Sequence, residues 1–143
     1  MKRLAFLLLA FSGALQAAEF RSVQEQVAVL YDAPSKAATP LFVVQRNYPL
    51  EVIVNLDAWV KVRDAAGALS WIEKKALGER RTLLVTGASA EARARPEEGA
   101  PLVFSAAQNV TLELVEAAPG GWLRVRHADG ATGYVRAAQL WGN

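Results

Sequence analysis

The chain contains no cysteine, one histidine and one methionine among 143 residues. Without cysteine there is no disulfide framework, no thiol nucleophile, no thiolate zinc site and no iron–sulfur cluster. One imidazole, His127, is too little for a zinc centre. It also lacks a neighbouring serine for a Ser-His-Asp triad, although Asp129 is close in sequence. His127 is therefore expected to be a solvent-facing hairpin residue. The carboxylates Glu97-Glu98, Asp57, Asp64 and Glu73 fall in loops or beside turns, where solvated charge explains them better than acid–base chemistry. Gly120-Gly121 and Gly130 do not precede helices, so no phosphate-cradling loop is supported. No cofactor or metal is expected, and an enzyme is disfavoured.

Long apolar runs are confined to the first residues. Met1-Lys2-Arg3 is basic, Leu4 to Leu15 is apolar, and Gln16-Ala17-Ala18 ends in small residues. That order predicts a cleaved secretory signal over residues 1–18, too short to span a bilayer, with no cysteine for lipid attachment. An exported, periplasmic protein with no stable membrane span is the expectation. Lys2 and Arg3 are the only charges before that cut; without them, 14 basic residues face 14 acidic ones. The net charge of +2 belongs to the leader, so affinity for nucleic acid is not expected.

What remains is written twice. Trp59-Val60-Lys61-Val62-Arg63, a turn at Gly67, Trp71-Ile72 and Leu77 reappear as Trp122-Leu123-Arg124-Val125-Arg126, Gly130, Tyr134-Val135 and Leu140. The period of two puts Trp59, Lys61 and Arg63 on one face and Val60 and Val62 on the other, which predicts a half-buried antiparallel strand. Gly67 supplies the positive φ of a hairpin turn. Earlier in each copy, Pro34 falls on Pro96, and Leu41-Phe42-Val43 falls on Leu102-Val103-Phe104. No segment sustains a helical period. The repeat of roughly sixty residues suits a complete small domain rather than a solenoid unit. Glu19 to Gln26 reads as a polar lead-in. Thr82-Leu83-Leu84-Val85 could close the first unit or open the second; the first is preferred, with Thr86-Gly87 as linker, giving units over 19–85 and 86–143.

These residues resemble the bacterial SH3-like domain family, of the variety found singly or in tandem in exported bacterial proteins. The resemblance rests on Tyr31-Asp32-Ala33-Pro34-Ser35, Leu50 to Val54, Trp59 to Arg63, Gly67, Trp71-Ile72 and Glu79-Arg80-Arg81-Thr82. The second copy matches best from Trp122 to Leu140. The resemblance implies an all-β chain of two strongly bent, five-stranded barrels, with ligands docking between the long first loop and the Trp-bearing strands. Ser70 stands where the family commonly has glycine.

The candidate ligand-binding residues are aromatic: Tyr31, Tyr48, Trp59 and Trp71 in the first copy, Trp122 and Tyr134 in the second. Trp and Tyr make rigid anchors for peptide-like ligands, although the same rings also plug barrel ends or pack domains together, the expected role of Trp71 and Trp141 and an equal alternative for Trp59. Arg93 replaces Tyr31 in the second copy and suggests a different, anionic ligand there. The family suggests peptidoglycan peptides or an envelope protein as partner. A purely structural or assembly role is the alternative, and a cell-wall hydrolase ranks last.

Overall fold

A computed structural model describes residues 17–143. Apart from Ala17 and Ala18, the expected leader lies outside the described residues. The first antiparallel sheet comprises β1 (Phe20–Val23), β2 (Val27–Tyr31), β3 (Pro40–Gln45), β4 (Pro49–Asn55), β5 (Trp59–Arg63), β6 (Leu69–Glu73) and β7 (Leu77–Gly78). Its strand order is β3-β2-β6-β5-β4-β1-β7, and a single 3₁₀ turn, Lys74–Ala76, joins β6 to β7. The second sheet repeats this with β8 (Thr82–Val85), β9 (Ser89–Arg93), β10 (Leu102–Ala107), β11 (Thr111–Ala118), β12 (Trp122–Arg126), β13 (Thr132–Arg136) and β14 (Leu140–Trp141), in the order β10-β9-β13-β12-β11-β8-β14. The chain is all-β, as two tandem SH3-like units. Each has seven strands rather than five, because the terminal segments pair as well. No helix among the described residues is long and apolar enough to cross a membrane.

The alternation along β5 and β6 does what the pattern requires. Val60, Val62 and Ile72 turn inward to a core with Leu30, Leu50 and Val23, while Trp59, Lys61, Arg63 and Trp71 stay half-exposed on the outer face. Leu83, Leu112, Leu123, Val125 and Val135 form the second core in the same way. Irregularities repeat too. Register shifts interrupt β4–β5 at Val52/Val54 and β11–β12 at Leu114/Glu116, and others interrupt β2–β3 and β9–β10 beside the first long loop. Such bulges bend a strand sharply, as a small closed sheet needs. The turn residues Asn47 and Asn109 both adopt a left-handed backbone, at φ 72° and 68°.

Three expectations differ from the structure. Thr82–Val85 does not close the first unit: β8 lies between β11 and β14 in the second sheet. Its equivalent is Phe20–Val23, which was expected to be a polar lead-in and instead lies between β4 and β7. In β1, Phe20, Ser22 and Val23 are all buried, and the Ser22 hydroxyl is satisfied by donating to the Arg80 carbonyl at 2.7 Å. The link between the sheets is therefore Glu79-Arg80-Arg81. Thr86-Gly87 is a turn inside the second unit, where Gln139 accepts from Thr86.

The two sheets meet through specific contacts. Phe20 packs edge-on against Trp141, with centroids 5.1 Å apart, which is the packing role expected of Trp141. The Arg81 guanidinium lies 5.7 Å from the Phe20 ring and donates to the Gly142 carbonyl at 2.9 Å. The buried Thr82 hydroxyl donates to the Asn47 carbonyl at 2.6 Å.

Candidate functional site

Strands β2, β6 and β5 bring three of the predicted aromatics onto one outer face. Tyr31 is registered opposite Trp71, and Trp71 opposite Lys61; Trp59 is registered opposite Glu73. Cross-strand partners share a face, so Tyr31, Trp59, Trp71, Lys61 and Glu73 form one surface. The Tyr31 and Trp59 rings meet edge to face at 5.6 Å, and Lys61 Nζ stands 6.0 Å from the Trp71 ring. All three aromatics are half-exposed.

The loop from Asp32 to Thr39 lies beside this surface, which Lys36 contacts through Glu73. It is held shut at its base, where Asp32 N donates to the Thr39 carbonyl at 3.1 Å and Thr39 N donates to Asp32 Oδ1 at 3.0 Å. Ser35 turns its tip by accepting from the Ala37 and Ala38 amides. From this loop Lys36 Nζ reaches Glu73 Oε1 at 3.4 Å, across the groove. Below Tyr31 and Glu73, with Val27, Val29 and Ala76, lies a depression of about 130 Å³.

Tyr48 does not join this group. It packs against the first core beside the turn at Ala65, beyond the end of β5 opposite to Trp59. The position after the left-handed Asn47 directs it there, and nothing in the linear pattern separates it from the outer-face aromatics.

In the second unit the same positions are chemically inverted. Arg93 is registered opposite Tyr134, and Trp122 opposite Arg136. The Arg136 guanidinium lies over the Trp122 ring, 4.7 Å from its centroid, and pairs with Glu98 from the loop; Arg93 pairs with Glu91 and also donates to the Ala100 carbonyl. Trp122 is only 6% exposed, whereas Trp59 is half-exposed. A depression of about 200 Å³ lies among Arg93, Glu98, Trp122 and Arg136. Of the charged members, Glu73 and Glu98 were expected from sequence to be solvated carboxylates and instead pair with Lys36 and Arg136, which were not singled out. Aligning the two copies would have shown the exchange: Lys36 falls on Glu98, and Glu73 on Arg136.

His127 is half-buried at the start of its hairpin, its ring 5.4 Å from Phe104 and its Nδ1 3.2 Å from Asp129 Oδ1. The amide of Ala131 donates to Asp129 and is the main cause holding that carboxyl below its ordinary range. The hollow that His127 lines is also lined by Arg126, Arg80 and Asn47.

Paired small barrels, each with a groove between a long first loop and a Trp-led strand, define an SH3-type module built in tandem. The chain belongs to the bacterial SH3 domain family, whose model matches it twice, over residues 24–79 and 87–142. No curated protein matches the sequence. Solved structures similar to it include NlpC1 from Trichomonas vaginalis, at 16% identity and TM-score 0.41, covering 98% of this chain and 51% of that one. NlpC2 from the same organism has 14% identity and TM-score 0.41, with 91% and 50% covered. An NlpC/P60 family protein from Bacillus cereus has 16% identity and TM-score 0.39, with 85% and 55% covered. The chain thus spans about half the length of each.

Proposed function

We propose that this chain is an exported, periplasmic, non-catalytic recognition protein whose first domain binds the peptides of peptidoglycan. The observation that carries the reading is the half-exposed Tyr31–Trp59 pair, met edge to face on the outer sheet beside a loop whose base is fixed. Bacterial SH3 domains are cell-wall-binding modules, and an aromatic groove with little net charge suits a peptide better than a bare anionic polymer. The binding face is built on strands, so little ordering is lost when a ligand docks. The test is sedimentation with insoluble peptidoglycan. The mature chain is expected to co-sediment, and Tyr31→Ala to lower the bound fraction several-fold while leaving the circular dichroism spectrum unchanged. Failure of the mature chain to co-sediment would remove this reading.

One observation favours an assembly role with an envelope protein. The edge strand β3 carries no charge, and it exposes Leu41, Phe42 and Val43 at 42%, 51% and 67%. Uncovered apolar edges of this kind pair readily with other strands. A protein captured from envelope extracts through β3, in the absence of peptidoglycan binding, would support this second reading.

A further inference from the structure

We infer that the first domain's groove takes a cationic side chain, an ammonium or guanidinium on a short aliphatic stem, stacked on Trp59 and paired with Glu73. This rests on the reading that the Tyr31–Trp59 groove is the ligand site. The second domain supplies the pattern. There the groove tryptophan, Trp122, is covered by the chain's own Arg136, whose guanidinium lies 4.7 Å from the ring centroid and is tied by Glu98 of the facing loop. In the second domain the indole is capped by the chain's own cation.

The first domain keeps the same tryptophan and the same loop but lacks that cation. Glu73 occupies the register position of Arg136, opposite Trp59 as Arg136 is opposite Trp122. A carboxylate is repelled by the negative face of an indole, so it leaves the ring open and places an anion beside it. Trp59 is half-buried, and its ring lies nearly perpendicular to that of Tyr31, with centroids 5.6 Å apart. An indole face with an adjacent carboxylate attracts a cation through both the ring quadrupole and Coulomb terms. The depression under Tyr31 and Glu73 adds a second carboxylate, Glu25, and apolar walls from Val27, Val29 and Ala76, against which an aliphatic stem can lie.

Lys36 is the internal competitor. Its ammonium reaches Glu73 at 3.4 Å, but its side chain is 66% exposed, so the pair is weak and easily exchanged for a better-seated cation. Lys36 and Glu73 are therefore expected to act in opposite directions on binding.

The test titrates the full mature chain with short peptides, acetylated and amidated at their ends, whose central residue is lysine, arginine or norleucine, following the Trp59 indole N–H by NMR. Lysine and arginine peptides are expected to bind at least tenfold more tightly than the norleucine peptide. Glu73→Gln should weaken the lysine peptide about tenfold, and Lys36→Gln should tighten it a few-fold. Both positions are on the surface, so the fold should survive either change. Equal binding of lysine and norleucine peptides, or a shift in the same direction for both variants, would overturn the inference. If lysine peptides do not bind while Tyr31-dependent sedimentation with peptidoglycan persists, this inference falls and the proposed function stands. If they bind at Trp59 with no sedimentation, the function falls and the cation site stands.

Discussion

The phenol of Tyr48 is half enclosed by the first core, and that burial pushes its ionisation above the ordinary value of 10.0. The Asp64 carboxylate reinforces the rise, and the Ala65 backbone, which favours the phenolate, opposes it in part. A raised value means that the folded chain holds this proton more tightly than the unfolded chain. The associated stability is therefore complete below the unfolded value and is lost as pH climbs through the folded one. Tyr48→Phe removes the titrating hydroxyl and keeps the ring packed against the core. Its melting temperature should then fall less steeply than that of the natural chain as pH rises past 10, so the gap between the two curves changes with pH; parallel curves would contradict this account. Tyr48 also shows where residue-level reading stops. Alternation alone puts Trp59 on the face opposite Val60 and Val62, but Tyr31 and Trp71 join it only through the strand register. Tyr48, grouped with them from sequence, follows a left-handed Asn47 and packs against the core. Arg136 escaped notice, and Glu98 was expected to be solvated, because a charge is silent in a hydrophobic pattern. Its partner is known only when the loop and the strand are seen together.

At the level of elements, the hairpins β5–β6 and β12–β13 were the most legible parts, since strict alternation around a Gly turn has one straightforward solution. Strand β1 was hidden because Arg21 and Ser22 break the apolar pattern, and its burial comes from neighbours on both sides rather than from its own composition. The ownership of β8 was open for a related reason: four β-prone residues specify a strand but not the edge it joins. A feature that sequence also leaves silent is the close approach of β13 to β9. A Cβ at Gly133 would lie 2.8 Å from Ala92 Cβ and 3.2 Å from the Arg93 carbonyl, both backbone-anchored positions beside the second groove. Gly133→Ala should therefore destabilise the second unit by about 1–3 kcal/mol, the usual cost of overpacking. Urea unfolding would measure it. A change within a few tenths of a kcal/mol would mean that the two strands are free to part there.

For the whole molecule, the contacts between the sheets are few but mutually supporting: Phe20 with Trp141, Arg81 with Gly142, and Thr82 with Asn47. Gly142 fits only because it has no side chain, since a Cβ there would sit 2.6 Å from the Thr82 carbonyl and 3.2 Å from Pro49 Cβ. Trp141→Ala should remove about 1–3 kcal/mol of coupling between the units. Calorimetry is expected to show one unfolding transition in the natural chain splitting into two in the variant; a single unshifted transition would show that this contact does not join them. The pairing of β1 with both β4 and β7 carries one more consequence. Every strand of the first sheet has been made once Gly78 is reached, so its ladder needs nothing that is synthesised afterwards. As the chain is synthesised from its N-terminus, the leading half can assume its final form first. It then presents Asn47 and Pro49 as a ready surface on which the trailing half is laid down. A duplicated architecture of this kind shortens the time during which an uncovered strand such as β8 waits for partners.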